Sequence, residues 1–184
     1  MALTKVLEGG IADDAVGNTK LDLSEDYTFT GTIVGAGGSN VPYFYGKKAS
    51  NQQTTRNTTT KITNFTTNEL DTDSAFDGTT FTVPSGKAGR YFIHTNLVAD
   101  FTGGTGSDGE RAIAYIYKNG STYSYNSHFL GSSYNMADHT NSVSVIADLS
   151  AGDTIEIYAY NKDGNADGHA NITTNSYFFG YKLA

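Results

Sequence analysis

The chain has 184 residues, 38% of them hydrophobic and 12% aromatic, with no cysteine and a formal net charge of −7. That length buries one good core and is too short for two large domains. The missing thiols exclude a disulfide framework and any thiolate ligand or nucleophile, and the acidic balance disfavours nucleic acid, whose phosphates would be repelled over most of the surface.

Residues 1–41 carry few, irregularly spaced apolar side chains, in the stretches Gly9 to Val16, Lys20 to Leu23 and Tyr27 to Val34. Such a segment cannot offset its own ordering entropy and needs a partner to fold against, so it reads as an attachment arm. Gly35 to Ser39 reads as a linker to the domain behind it, residues 42–184. The first residues lack an apolar stretch long enough for a signal peptide, and no run approaches the roughly 20 apolar residues that cross a bilayer. Synthesis in the cytoplasm without membrane insertion is therefore expected.

From Val41 onward the pattern is strand after strand, consistent with 21 glycines, 13 tyrosines and only 2 prolines. Pro42 to Gly46 reads as a first strand, and the polar tract Ala49 to Thr60 as either an exposed edge or a long loop. Lys61 to Thr66 and Thr79 to Pro84 are short strands flanking the acidic turn Asp71 to Gly78. Gly89 to Val98 is a longer, mostly buried strand. Glu110 to Tyr117 and Thr122 to Asn126 are joined through Asn119-Gly120, a hairpin signal because both residues tolerate positive φ. Val143 and Val145, then Ile155 and Ile157, alternate with polar residues on either side of the tight turn Ala151-Gly152-Asp153. Tyr177 to Leu183 closes the chain. No helical stripe follows residue 30.

Chemistry-bearing residues are sparse. His94, His128, His139 and His169 fall on separate elements without a shared-face ligand spacing. No Gly-x-Ser-x-Gly elbow activates a serine. Asp163, Asn165 and Asp167 satisfy Asp-x-Asn-x-Asp-Gly, the first half of a calcium loop, but its twelfth position is Thr174, which cannot give a bidentate carboxylate; calcium ligation and a plain polar turn are the competing readings. Lys47, Lys48, Arg56 and Lys61 read as a solvated face. Tyr115 with Tyr117, Tyr123 with Tyr125 and Tyr158 with Tyr160 each share a strand face, available for subunit contacts, for the core or for stacking on sugars.

The series Phe81 to Phe92, Tyr117 to Ser121, Val143 to Ile155 and Tyr177 to Tyr181, in that order, resembles the C1q/tumour-necrosis-factor-like jelly roll over residues from about 43 to 184. The resemblance implies an all-β, antiparallel sandwich of about ten strands that assembles as a compact homotrimer, with aromatic residues near the threefold axis and variable loops at the outer end. The arm resembles segments of bacteriophage structural proteins that precede a globular tip, although it holds only one such unit and no long shaft. Together the two resemblances imply a non-enzymatic virion protein. It would be a trimeric knob attached through residues 1–41 to other virion proteins, as a tail fibre or a capsid decoration, with contact to a host-surface glycan or receptor. A carbohydrate- or receptor-binding adhesin is the alternative, and a polysaccharide depolymerase ranks last. No cofactor is implied beyond calcium at Asp163, Asn165 and Asp167.

Overall fold

The computed structural model describes residues 41–67, 70–101, 109–129, 138–163 and 169–183. They form twelve strands and no helix: β1 (Tyr43–Lys47), β2 (Gln52–Thr55), β3 (Thr59–Lys61), β4 (Leu70–Asp71), β5 (Thr80–Thr82), β6 (Gly89–Asp100), β7 (Gly109–Lys118), β8 (Ser121–Phe129), β9 (Asp138–Leu149), β10 (Thr154–Asp163), β11 (His169–Ile172) and β12 (Tyr177–Lys182). One sheet has the order β2-β11-β6-β12-β1-β4, with β9 along the other edge of β6; the second has the order β3-β10-β7-β8, with β5 beside β3 on β10. The pairings are antiparallel throughout, and the result is the all-β sandwich the sequence predicts.

Side-chain alternation decides which residues meet between the sheets. Along β6, Tyr91, Ile93, Thr95, Leu97 and Ala99 point inward and are buried, while Phe92, His94, Asn96 and Val98 point outward. The strand is thus covered on one face only, rather than mostly buried. Ile155, Ile157 and Ala159 of β10 and Ala112, Ala114 and Ile116 of β7 supply the facing layer. Each fully buried large side chain contributes about 1.5–3 kcal/mol through removal of apolar area from water.

One end of the core is a knot of phenylalanine rings. Phe44 stacks on Phe81 at 4.4 Å between ring centres and meets Phe178 edge-on at 4.8 Å. These rings fit because glycine alternates with phenylalanine across the β1–β12 ladder: Phe44 lies opposite Gly180, and Gly46 opposite Phe178. A Cβ on Gly180 would stand 2.7 Å from Ile93 Cδ1 and 2.9 Å from Phe44 Cε1. The absent side chain is therefore a packing requirement of the sheet.

The turns resolve the local signals. Asn119 and Gly120, at φ of 51° and 76°, join β7 to β8 as a hydrogen-bonded hairpin. The Ala151-Gly152-Asp153 turn has Gly152 at φ 86°, yet it does not close a hairpin: β9 belongs to the seven-stranded sheet and β10 to the five-stranded one. It carries the chain between sheets. The polar tract 49–60 supplies two short edge strands, β2 and β3, which answers the choice between edge and loop. Lys48 departs from the solvated face expected for it. Only 2% of the residue is exposed, its ammonium lies 6.0 Å from the centre of the Phe65 ring, and burial lowers its pKa.

The two ends of the sandwich domain are stitched together. The Lys182 N–H donates to the Pro42 carbonyl at 3.0 Å, and the Leu183 N–H to the Arg90 carbonyl at 2.8 Å.

Candidate interfaces

Both outer faces of the sandwich carry aromatic side chains, but the two differ in chemistry. On the seven-stranded sheet the β1, β12, β6 and β9 registers align outward residues in rows. Tyr43, Tyr181, Phe92 and Ile146 make one row, and Tyr45, Phe179, His94 and Ser144 the next. Neighbouring rings are in contact range: Phe92 and Tyr181 are 5.5 Å apart between centres, Phe92 and Phe179 6.0 Å, and Tyr45 and Tyr177 6.0 Å. Ile146, at the outer edge, is 61% exposed. Beside Leu70 the face opens into a hollow of about 510 Å³ lined by Tyr43, Tyr45, Phe179 and Tyr181. So contiguous an apolar surface is what a partner covers.

His94 stands in the middle of this face. Its ring lies 5.1 Å from Phe179 and 5.7 Å from Tyr177 between centres, and its Nδ1 is 2.7 Å from Ser144 Oγ. Burial lowers its pKa, which favours the neutral imidazole. The charged groups on the face lie toward its margins: Lys47 opposite Tyr177, and Arg90 paired with Asp148 at 3.2 Å.

The outer face of the five-stranded sheet belongs to tyrosine. Tyr158, Tyr115 and Tyr125 share one register row across β10, β7 and β8, with Lys61 of β3 at its end. Tyr117 stacks on Tyr158 at 4.0 Å and meets Tyr115 edge-on at 5.9 Å; Tyr115 lies 5.7 Å from Tyr125. The core reading of these tyrosines is thereby set aside, because all of them point away from it. Ile113, on the same face, is buried although it too is turned from the core. Burial raises the pKa values of Tyr115 and Tyr158. Around the rings stand polar groups: Lys61 bonds Glu156 at 2.5 Å and Thr80 at 3.1 Å, Tyr160 donates to Asn57 at 3.3 Å, and Arg111 donates to Ser127 at 3.1 Å.

Of the three residues expected to ligate calcium, only Asp163 lies within the described residues. Asp163 ends β10, where the ladder shifts register at Lys162/Asp163 to set it opposite Gly109, and Asn165 and Asp167 lie outside the described residues. Among the described residues no group of three or more His, Asp or Glu side chains could hold a metal. Of the histidines, the fold does bring His128 and His139 together, with ring centres 4.1 Å apart where the free edges of β8 and β9 adjoin. His139 also reaches Asn141 Oδ1 at 3.1 Å, and burial holds its pKa down. Their separation in sequence gave no hint of this contact, since they sit in different sheets.

No family model and no curated protein matches the sequence. Solved structures do match the fold. The globular domain of zebrafish complement 1qA protein superposes with a TM-score of 0.53 at 14% identity, covering 78% of this chain and 98% of that one. Murine APRIL at pH 5.0 gives 0.54 at 11% identity, over 77% and 98% of the two chains. Eiger TNF from S. frugiperda gives 0.54 at 12% identity, over 77% and 90%. The chain has the C1q/TNF-like jelly-roll fold.

Proposed function

We propose that the protein is a non-enzymatic structural component of a bacteriophage particle, a homotrimeric knob that self-associates through the outer face of its seven-stranded sheet and is attached by residues 1–41. The observation that carries the assembly reading is the row Tyr43, Tyr181, Phe92 and Ile146, a continuous aromatic and aliphatic band across four strands whose charged neighbours, among the described residues, lie at its margins. The homotrimer implied by the C1q/TNF-like resemblance gives that band an occupant, two further copies of the chain. The virion location is supported by the arm's likeness to phage structural segments.

Light scattering on the full chain at micromolar concentration should give three times the chain mass. Replacing Phe92 and Ile146 together by lysine should yield a folded monomer, because both side chains point away from the core. A wild-type monomer at that concentration overturns the assembly. Removing residues 1–40 should leave the trimer intact and abolish incorporation into particles; incorporation of the truncated protein would refute the role given to the arm.

A further inference from the structure

The tyrosine face of the five-stranded sheet has the wrong chemistry for a dry protein contact. Five tyrosines, Tyr115, Tyr117, Tyr125, Tyr158 and Tyr160, occupy it with Lys61, Glu156, Arg111 and Ser127. Among the described residues the hydroxyls of Tyr115, Tyr117 and Tyr125 have no protein acceptor, while those of Tyr158 and Tyr160 reach Glu156 and Asn57 only at 3.5 and 3.3 Å. An apolar partner would strip water from these hydroxyls without replacing it, leaving each one desolvated and unpaired. The outer face of the seven-stranded sheet instead sets Phe92, Phe179 and Ile146 among Tyr43, Tyr45, Tyr177 and Tyr181 and keeps its charged groups at the margins. The two faces therefore call for different partners.

A pyranose ring has the complementary make-up. Its axial C–H bonds present an apolar surface to an aromatic ring, and its equatorial hydroxyls donate and accept hydrogen bonds at its rim. The register row Tyr158, Tyr115, Tyr125 crosses three strands, about 10 Å at the usual strand spacing, which suits a short run of linked sugars. Tyr125 is 59% exposed on the edge strand, with its ring open to a ligand, whereas the Tyr117–Tyr158 stack is held from beneath by the β7–β10 ladder. Charge agrees with this. Lys61 is paired with Glu156, and Lys162 with Glu110. With Arg111 bonded to the neutral Ser127, the face carries about one positive charge beyond these pairs on a chain of net charge −7, so its charged groups are largely engaged with each other and the rings are left to an uncharged ligand.

We propose that the tyrosine face is an oligosaccharide-binding platform, with Tyr125, Tyr115 and Tyr158 stacking against successive sugar rings while Glu156, Lys61 and Asn57 bond their hydroxyls. The proposal rests on the assembly reading only in that the opposite face makes the subunit contact and leaves this one open to solvent.

The full-length protein should be titrated by calorimetry with tetrasaccharides built from glucose, galactose and N-acetylglucosamine, and with a uronic-acid tetrasaccharide as a separate arm. Binding of a neutral tetrasaccharide in the micromolar-to-millimolar range is expected, with little dependence on salt. Tyr125→Ala should weaken it at least tenfold and Tyr125→Phe much less, with the particle mass unchanged in both. Three outcomes overturn the proposal: no binding up to millimolar ligand by the wild type, binding confined to the acidic tetrasaccharide and lost in salt, or full binding by a folded Tyr125→Ala, Tyr158→Ala double variant. Loss of the assembled mass in Tyr125→Ala would also overturn it, since the tyrosine face would then be the subunit contact. A wild type that binds sugar as a monomer would leave the platform standing and refute the trimer alone.

Discussion

Asp153 shows how much a single turn residue does here. Its carboxylate accepts from the Asn119 side-chain amide at 2.9 Å and the Ser150 N–H at 2.9 Å, and pairs with Lys118 at 2.9 Å. Those donors, the Asn119 amide first among them, pull its pKa down from 3.8 to about 2. A carboxyl with a depressed folded-state pKa stabilises the native state above its unfolded value, and that stability is lost as pH falls through the folded one. Thermal stability should therefore fall as the pH drops from about 4 to about 2 in the wild type, and Asp153→Asn should flatten that part of the profile. At neutral pH the same substitution should cost about 1 kcal/mol, kept modest by solvent around the turn. Asp153 was recognisable from sequence as a turn residue. Its link to Asn119 was not, because the two turns meet only once the sheets have stacked.

At the level of elements, local chemistry was the most legible. The Asn119-Gly120 hairpin followed from two adjacent residues that accept positive φ, and β9 and β10 from the alternation of Val143 with Val145 and of Ile155 with Ile157. What sequence could not supply was partnership. Ala151-Gly152-Asp153 has the composition of a hairpin turn and yet spans two sheets, since β9 pairs with β6 and β10 with β7, and nothing within those three residues specifies where the flanking strands find their neighbours. Likewise β4 and β11, of two and four residues, are too short for a period to register. Gly180 illustrates the same limit from the packing side: it looks like an interruption of an aromatic strand and is a socket for Phe44. Gly180→Ala should lower stability by about 2 kcal/mol through overpacking, seen as a lower urea midpoint with an unchanged slope. A midpoint equal to the wild type's would mean that the Phe44 and Ile93 side chains can move aside.

For the whole molecule, the sequence showed that aromatic residues were plentiful without showing on which side of which sheet they stood. Tyr115 and Tyr158 could have been core, contact or ligand surface until the register placed them outward. In the proposed trimer the opposite face, around His94, would carry a pH dependence. With its pKa lowered by burial, His94 favours the packed state above the ordinary imidazole value of 6.5, and that contribution is lost as pH falls through its native value. A protonated ring would sit among Phe92, Tyr177 and Phe179 with, among the described residues, only Ser144 as a bonding partner. Sedimentation should show the assembled mass giving way to monomer under mild acid in the wild type and persisting in His94→Gln; identical profiles would remove His94 from the contact. The hydrogen bonds from Lys182 to Pro42 and from Leu183 to Arg90 have a topological consequence. Because the polypeptide enters and leaves the sandwich side by side, a short linker could join residue 183 to residue 41 and new termini be opened at the Asn119-Gly120 hairpin. The resulting circular permutant should rebuild both sheets with every strand pairing except the loop connection intact.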